Sequence, residues 1–193
     1  MGGDLVKGSL MGVFNGESEH KLIEDYGQLE VVMRGLLAMN YHTVVTIGTF
    51  DLLHIGHVRY LRKARELGDV LIVGVDTDES VKRYKGPLRP IVPYTERCEM
   101  LSYQTCVDLV TGVDDVDAQG RWQYALLEAT RPDIFVAVQG SYPQSQLDDI
   151  SRYCKQVVVL PRQAEGTSTS RMIEQAVKTH LDIMEKLKGD NGE

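Results

Sequence analysis

The sequence predicts an α/β protein with a Rossmann-like, doubly wound parallel sheet of five strands and an added N-terminal helix. Three observations carry that prediction. From Thr43 onward, short apolar runs rich in β-branched residues alternate with stretches of helical spacing. The runs lack polar alternation, as expected of strands covered on both faces. The chain has 193 residues, of which 42% are hydrophobic and 25% charged, which fits one domain of ordinary size.

Residues 1–42 are read as a tail and helical extension, and 43–193 as the main domain. The first 16 residues include five glycines and read as a mobile tail. Leu22, Tyr26, Leu29, Met33 and Leu36 then recur at steps of three and four, which predicts a helix over 19–38 packed on the core. Strands are predicted at 43–47, 70–75, 107–111, 134–138 and 156–160. Helical spacing fills 58–67, 97–103, 122–129 and 147–153, with Trp122 read as a core residue. A last helix is predicted over 170–188, with Met172, Ile173, Ala176, Val177, His180, Leu181 and Met184 on its apolar side. In sheets of this kind a ligand sits beyond the carboxyl ends of the strands, where the strand order reverses.

Charge and cysteine usage exclude several classes. A net charge of −7 argues against broad nucleic-acid binding, so any phosphate site must be a local cluster of positive groups. No apolar run approaches the roughly 18 residues of a membrane span, and the first residues lack the apolar core of a signal peptide. A cytoplasmic protein that binds neither membrane nor nucleic acid is expected. Cys98, Cys106 and Cys154 have no CxxC or CxxH spacing, so they read as core-filling residues.

The stretch from Ile47 to His57 follows the first strand and opens the first helix of the main domain. A glycine at Gly48 lets backbone N–H groups approach an anion closely, and the following helix start presents unpaired N–H groups. His54 and His57 lie in the first turn, within reach of one phosphate, and Gly56 leaves room for it. No P-loop lysine and no GxGxxG pattern accompanies them, so a Walker-type ATPase and a dinucleotide-binding dehydrogenase are both unsupported.

This segment, Gly-Thr-Phe-Asp-Leu-Leu-His-x-Gly-His, resembles the signature of the cytidylyltransferase-like nucleotidyltransferases. That family includes glycerol-3-phosphate cytidylyltransferase and the adenylyltransferase domain of ADP-heptose synthesis. The resemblance continues through 58–61, 67–69, 73–78, 81–86, 89–93 and 96–97, and returns at Glu165-Gly166-Thr167-Ser168-Thr169-Ser170. The middle segment is closer to the heptose type, whereas Pro161-Arg162 followed by Glu165-Gly166 is closer to the glycerol-phosphate type. One departure stands out: where the family carries a carboxylate after the fourth strand, this chain reads Val138-Gln139-Gly140-Ser141-Tyr142-Pro143.

The resemblance implies that a phosphorylated acceptor attacks the α-phosphorus of a nucleoside triphosphate and pyrophosphate leaves. His54 and His57 would then be the catalytic pair. Gly48, Thr49, Phe50 and Gly56 would hold the nucleotide, with Gln139 at the base and Arg162, Thr167, Ser168 and Thr169 at the β- and γ-phosphates. Lys82, Lys85 and Arg97 would bind the acceptor phosphate. The plainer readings are a solvated helix face for Lys82 and Lys85, a surface ion pair with Glu96 or Glu99 for Arg97, and a helix cap at 167–170. Asp51 reads equally as a structural hydrogen-bond acceptor. Mg²⁺ is expected with the triphosphate, and no protein ligand is named for it. The resulting expectation is a homodimeric transferase using CTP and a small phosphorylated alcohol or sugar. The alternatives are an ATP-dependent adenylyltransferase acting on a sugar phosphate and a non-catalytic nucleotide-binding module.

Overall fold

A computed structural model describes residues 21–117, 119 and 121–189, with side chains described as far as Glu185. The proposed tail over 1–16 and the proposed helix start at Glu19 lie outside these residues. Among the described residues the sheet has five parallel strands in the order β3-β2-β1-β4-β5. In chain order these are β1 (Thr43–Gly48), β2 (Val70–Asp76), β3 (Leu109–Val113), β4 (Ile134–Val138) and β5 (Gln156–Leu160). The order reverses between β1 and β4, the position at which a ligand crevice opens in a doubly wound sheet.

Adjacent residues of each inner strand point to opposite faces, and both faces are covered. Val45, Ile72 and Phe135 join one apolar core with α1 (Tyr26–Ala38), α5 (Ala125–Thr130) and α6 (Gln144–Ile150). Val44, Leu71, Val73 and Val136 join a second core with α2 (Ile55–Arg65) and α4 (Tyr94–Ser102). Between β2 and α4, α3 (Asp78–Lys85) is a short polar helix capped by the Thr77 hydroxyl, which accepts from Ser80 N–H at 3.3 Å. Only Ser80 and Val81 of α3 are buried, so apolar spacing does not mark it.

Three elements differ from the sequence expectation. The N-terminal helix starts at Tyr26 because Asp25 caps it, accepting from Gln28 N–H at 2.7 Å. Leu22, expected on the helix, instead bridges Val110, and Ile23 N–H donates to the Val110 carbonyl at 2.9 Å. Leu29, Met33 and Leu36 do bury against the core, as the spacing required. The helix expected over 122–129 begins later, at Ala125, because Trp122 pairs antiparallel with Val116 and Tyr124 takes a left-handed backbone with φ of 63°. The last helix, α7 (Thr169–Gly189), forms with the amphipathic pattern expected, but that side is not packed, and Val177 and Leu181 are 55% and 57% exposed. Among the described residues no helix is long and apolar enough to cross a membrane.

Candidate active site

The loop from β1 to α2 is fixed from below before any ligand arrives. Asp51 is buried and accepts from Arg89 Nε at 2.7 Å, Ile91 N–H at 2.7 Å and Val92 N–H at 2.9 Å. It therefore ties this loop to the segment before α4, the structural role read as one of its two possibilities. Phe50 occupies the left-handed region at φ 49° and presents its ring edge-on to His57, with ring centres 5.4 Å apart. A side chain at Gly48 would meet that ring at 3.2 Å, so the bare backbone there is what lets Phe50 fold over it.

His54 is the N-cap of α2, and its Nδ1 accepts from Gly56 N–H at 3.1 Å. With Nδ1 accepting, the neutral ring carries its proton on Nε2 and can donate from there. The His57 ring stacks on His54 with centres 3.9 Å apart and planes 22° apart. A Cβ on Gly56 would come within 2.9 Å of the His54 ring and 3.1 Å of Ala164, so the glycine is a steric requirement of this arrangement. Burial pushes the His57 imidazole down to about 4, helped by neighbouring His54 and Lys85 and opposed by the Leu52 carbonyl. Burial also lowers His54. Both shifts favour the neutral forms of the two rings. An arriving polyphosphate, by its negative charge, favours their protonated forms.

Lys85 reaches the same loop from α3, its Nζ donating to Thr49 Oγ1 at 2.7 Å. Thr49 Oγ1 also lies 2.7 Å from the Tyr84 hydroxyl and donates to Asp76 at 3.2 Å, and Tyr84 donates to the same carboxylate. Burial raises Asp76, while its bonds to Tyr84 and Thr49 and the nearby Lys85 and Arg97 oppose the rise. Partial desolvation lowers Lys85.

Two of the three residues assigned to the acceptor phosphate do not reach the crevice. Arg97 is 1% exposed, and its guanidinium donates to the carbonyls of Val92, Thr49 and Asp76 and to the Asp78 carboxylate. It holds loops together and pairs with Asp78, not with Glu96 or Glu99. Lys82, about one helical turn before Lys85, is exposed and donates to Glu79 at 2.7 Å. Gln139, assigned to the base, is also exposed and outside the crevice lining, its N–H donating to the Leu160 carbonyl at 2.8 Å.

The remaining predicted residues converge on one crevice of about 1110 Å³ over the strand reversal. Gly48, Thr49, Phe50, His54, Gly56, His57 and Lys85 line one side. Arg162, Thr167, Ser168 and Thr169 line the other, where Ser168 Oγ accepts from Arg171 N–H at 3.3 Å and so caps the start of α7. Sequence reasoning missed Tyr84, Arg89, Ala164, Tyr142 and the crevice position of Trp122. For Arg89 and Tyr84 a signal was present, since both fall in stretches that resemble the family.

A doubly wound parallel sheet with paired histidines at one helix start and a hydroxyl-bearing helix start across the crevice defines a nucleotidyltransferase. The cytidylyltransferase-like family model matches residues 45–186, and the chain belongs to that family. The chain is 38% identical over 156 residues to the bifunctional protein HldE of a Nitratiruptor species, covering 80% of this chain and 32% of that protein. It is 40% identical over 154 residues to the bifunctional protein HldE of Helicobacter pylori, with the same coverage. The chain thus spans about a third of the length of these curated relatives. Among solved structures, the lipopolysaccharide core biosynthesis protein from Thermoplasma volcanium aligns with a TM-score of 0.52 and 27% identity, covering 65% of this chain and 98% of that one. A pantoate-beta-alanine ligase from Francisella tularensis, with a TM-score of 0.52 and 14% identity over 75% of this chain and 67% of that one, shares the fold.

Proposed function

We propose that the chain transfers an adenylyl group from ATP to a sugar phosphate and releases pyrophosphate. The observation that carries this reading is the placement of stacked His54 and His57 across one crevice from the start of α7. An oxygen of the acceptor phosphate attacks the α-phosphorus, and the bond from that phosphorus to the bridging oxygen of pyrophosphate breaks. Donors fixed before the reaction stabilise the charge that develops, with no covalent intermediate on the protein. His54 and His57 serve the α-phosphate, the α7 start and Arg162 serve the leaving pyrophosphate, and Lys85 holds the acceptor phosphate.

The HldE relatives support ATP and a sugar phosphate over the CTP and polyol phosphate that the sequence placed first. Among the described residues no cluster of three His, Cys, Asp or Glu side chains can hold a metal ion. Mg²⁺, expected with the triphosphate, would offset its charge as pyrophosphate leaves, and no protein ligand is assigned to it. A cytoplasmic homodimer belongs to the same proposal, and light scattering with cell fractionation tests it. The decisive assay is pyrophosphate release with ATP, CTP, GTP and UTP against phosphorylated sugars and polyols in the presence of Mg²⁺. ATP with a sugar phosphate is expected to give the highest kcat/KM. Turnover only with CTP and a polyol phosphate would return the reading to the cytidylyl alternative.

A further inference from the structure

We propose that Tyr84 is a positioning residue for phosphate capture: together with Thr49 it keeps the Lys85 ammonium one hydroxyl away from the buried Asp76 carboxylate, so that the cation stays free to meet an incoming phosphate. This deepens the nucleotidyl-transfer reading above, which gives Lys85 the acceptor phosphate. Asp76 ends β2 and is 5% exposed, a position where a carboxylate needs donors and a countercharge. The obvious countercharge is Lys85, yet among the described residues Lys85 makes no ion pair with a carboxylate. Its Nζ donates instead to Thr49 Oγ1, which donates onward to Asp76 Oδ2, the oxygen that Tyr84 also reaches. The two hydroxyl oxygens lie 2.7 Å apart. A hydroxyl carries one proton, and both protons of this bridge are spent toward Asp76. The carboxylate is thus served by neutral donors, and Lys85 is attracted without being captured.

The other charged groups around Lys85 are already committed, which leaves this bridge to decide where the ammonium sits. Asp51 is matched by Arg89, whose Nη2 lies 2.6 Å from its carboxylate, and by two backbone N–H groups. Arg97 spends its guanidinium on carbonyls and on Asp78, and burial holds His57 toward its neutral form. Arg89 and Arg97 repel the ammonium, while Asp76 and Asp51 attract it against a desolvation that disfavours its charge. Tyr84 is 47% exposed, so loss of its hydroxyl empties no core. Without that hydroxyl, Asp76 Oδ2 keeps one donor at 3.2 Å, and the vacated place falls to Lys85, the cation that acts on it most strongly. Lys85 is then locked in a direct ion pair that an entering phosphate has to break.

Inorganic phosphate, titrated by calorimetry without nucleotide, probes this capture directly, and Lys85→Ala identifies the component of binding that belongs to Lys85. Tyr84→Phe should weaken that component about ten-fold, the size of one hydrogen bond to a charged group. Adding Asp76→Asn, which keeps an acceptor oxygen for Thr49 and removes the charge, should restore it to within about two-fold of wild type. A second readout is the nuclear magnetic resonance signal of Lys85 Cε, assigned with Lys85→Ala and followed against pH. Its midpoint should rise in Tyr84→Phe, where the ammonium gains a direct carboxylate, and fall in Asp76→Asn, where it loses one. A merely structural role for Tyr84 predicts neither the rescue nor shifts of opposite sign. Phosphate binding equal in wild type and Lys85→Ala, binding unchanged in Tyr84→Phe, or a double variant as weak as Tyr84→Phe overturns the proposal. So does a Cε midpoint that fails to rise in Tyr84→Phe, which decides the matter even where an Asp76 variant does not fold. Absence of pyrophosphate release with any triphosphate would instead remove the nucleotidyl-transfer reading and leave the phosphate measurements standing.

Discussion

Replacing His57 by glutamine keeps a polar side chain in the first turn of α2 and removes one titration. In the folded chain its imidazole is pushed from 6.5 down to about 4, chiefly by burial. Above pH 6.5 the ring is neutral whether the chain is folded or not, so it adds no pH dependence there. Below that pH the unfolded chain takes up a proton that the folded chain refuses, and stability is lost progressively until about pH 4, where the loss levels off. At about 1.4 kcal/mol per pH unit, the full difference is at most about 3 kcal/mol, because a partly exposed ring relaxes toward water. Urea unfolding of both proteins between about pH 8 and pH 4 measures it. The stability of wild type relative to His57→Gln should fall by about 2 to 3 kcal/mol across that window. Parallel curves for the two proteins would refute the claim that the fold holds this ring neutral. The same linkage predicts that ATP binding takes up a proton below pH 7 in wild type and less in the variant, which calorimetry in two buffers of different ionisation enthalpy detects.

Four further outcomes follow from the geometry. Arg97→Met should destabilise the fold by about 3 to 5 kcal/mol, read by thermal unfolding, because it strands three carbonyls and the Asp78 carboxylate. Lys85→Ala should raise the acceptor KM at least about ten-fold, whereas Lys82→Ala, which removes only an exposed pair with Glu79, should leave it unchanged. Gly56→Ala should lower kcat about a hundred-fold by displacing the His54 ring, with normal expression as the control. Thr169→Ala should raise the ATP KM several-fold and leave AMP inhibition unchanged, since the α7 start faces the β- and γ-phosphates in the proposed complex.

The histidine loop was legible in the sequence because its chemistry is local: cap, glycine and both imidazoles fall within a few positions of one another. The same is true of the inner strands, whose burial on both faces writes itself as uninterrupted apolar runs, whereas β5 has an equally apolar run but lies at the sheet edge with Val159 exposed. Arg97 was misread because an arginine near a phosphate motif looks alike whether it binds an anion or backbone carbonyls. Two of its carbonyl partners lie 48 and 21 positions away along the chain, and only the tertiary fold brings them together. Lys82 and Lys85 share one short helix, and which of them faces Thr49 depends on a helical phase that two buried residues hardly mark. Trp122 packs against the core, as its spacing suggested, and its bridge to Val116 also leaves it on the crevice wall, which spacing alone does not reveal. For α7, apolar spacing foretold a two-sided helix but carries no information on what, if anything, covers its apolar side.

The sheet separates two independently packed layers, and the crevice draws one wall from each. Phe50 and the α2 helix that carries the histidines rest on the layer of α2 and α4, whereas Trp122, Tyr124 and Tyr142 rest on the layer of α1, α5 and α6. Core substitutions in the layer of α1, α5 and α6 therefore act first on the wall of Trp122, Tyr124 and Tyr142, across the sheet from the core that supports α2. Such a partition lets one wall of the crevice be reshaped by repacking beneath α5 and α6 while the wall that carries the histidines keeps its own support.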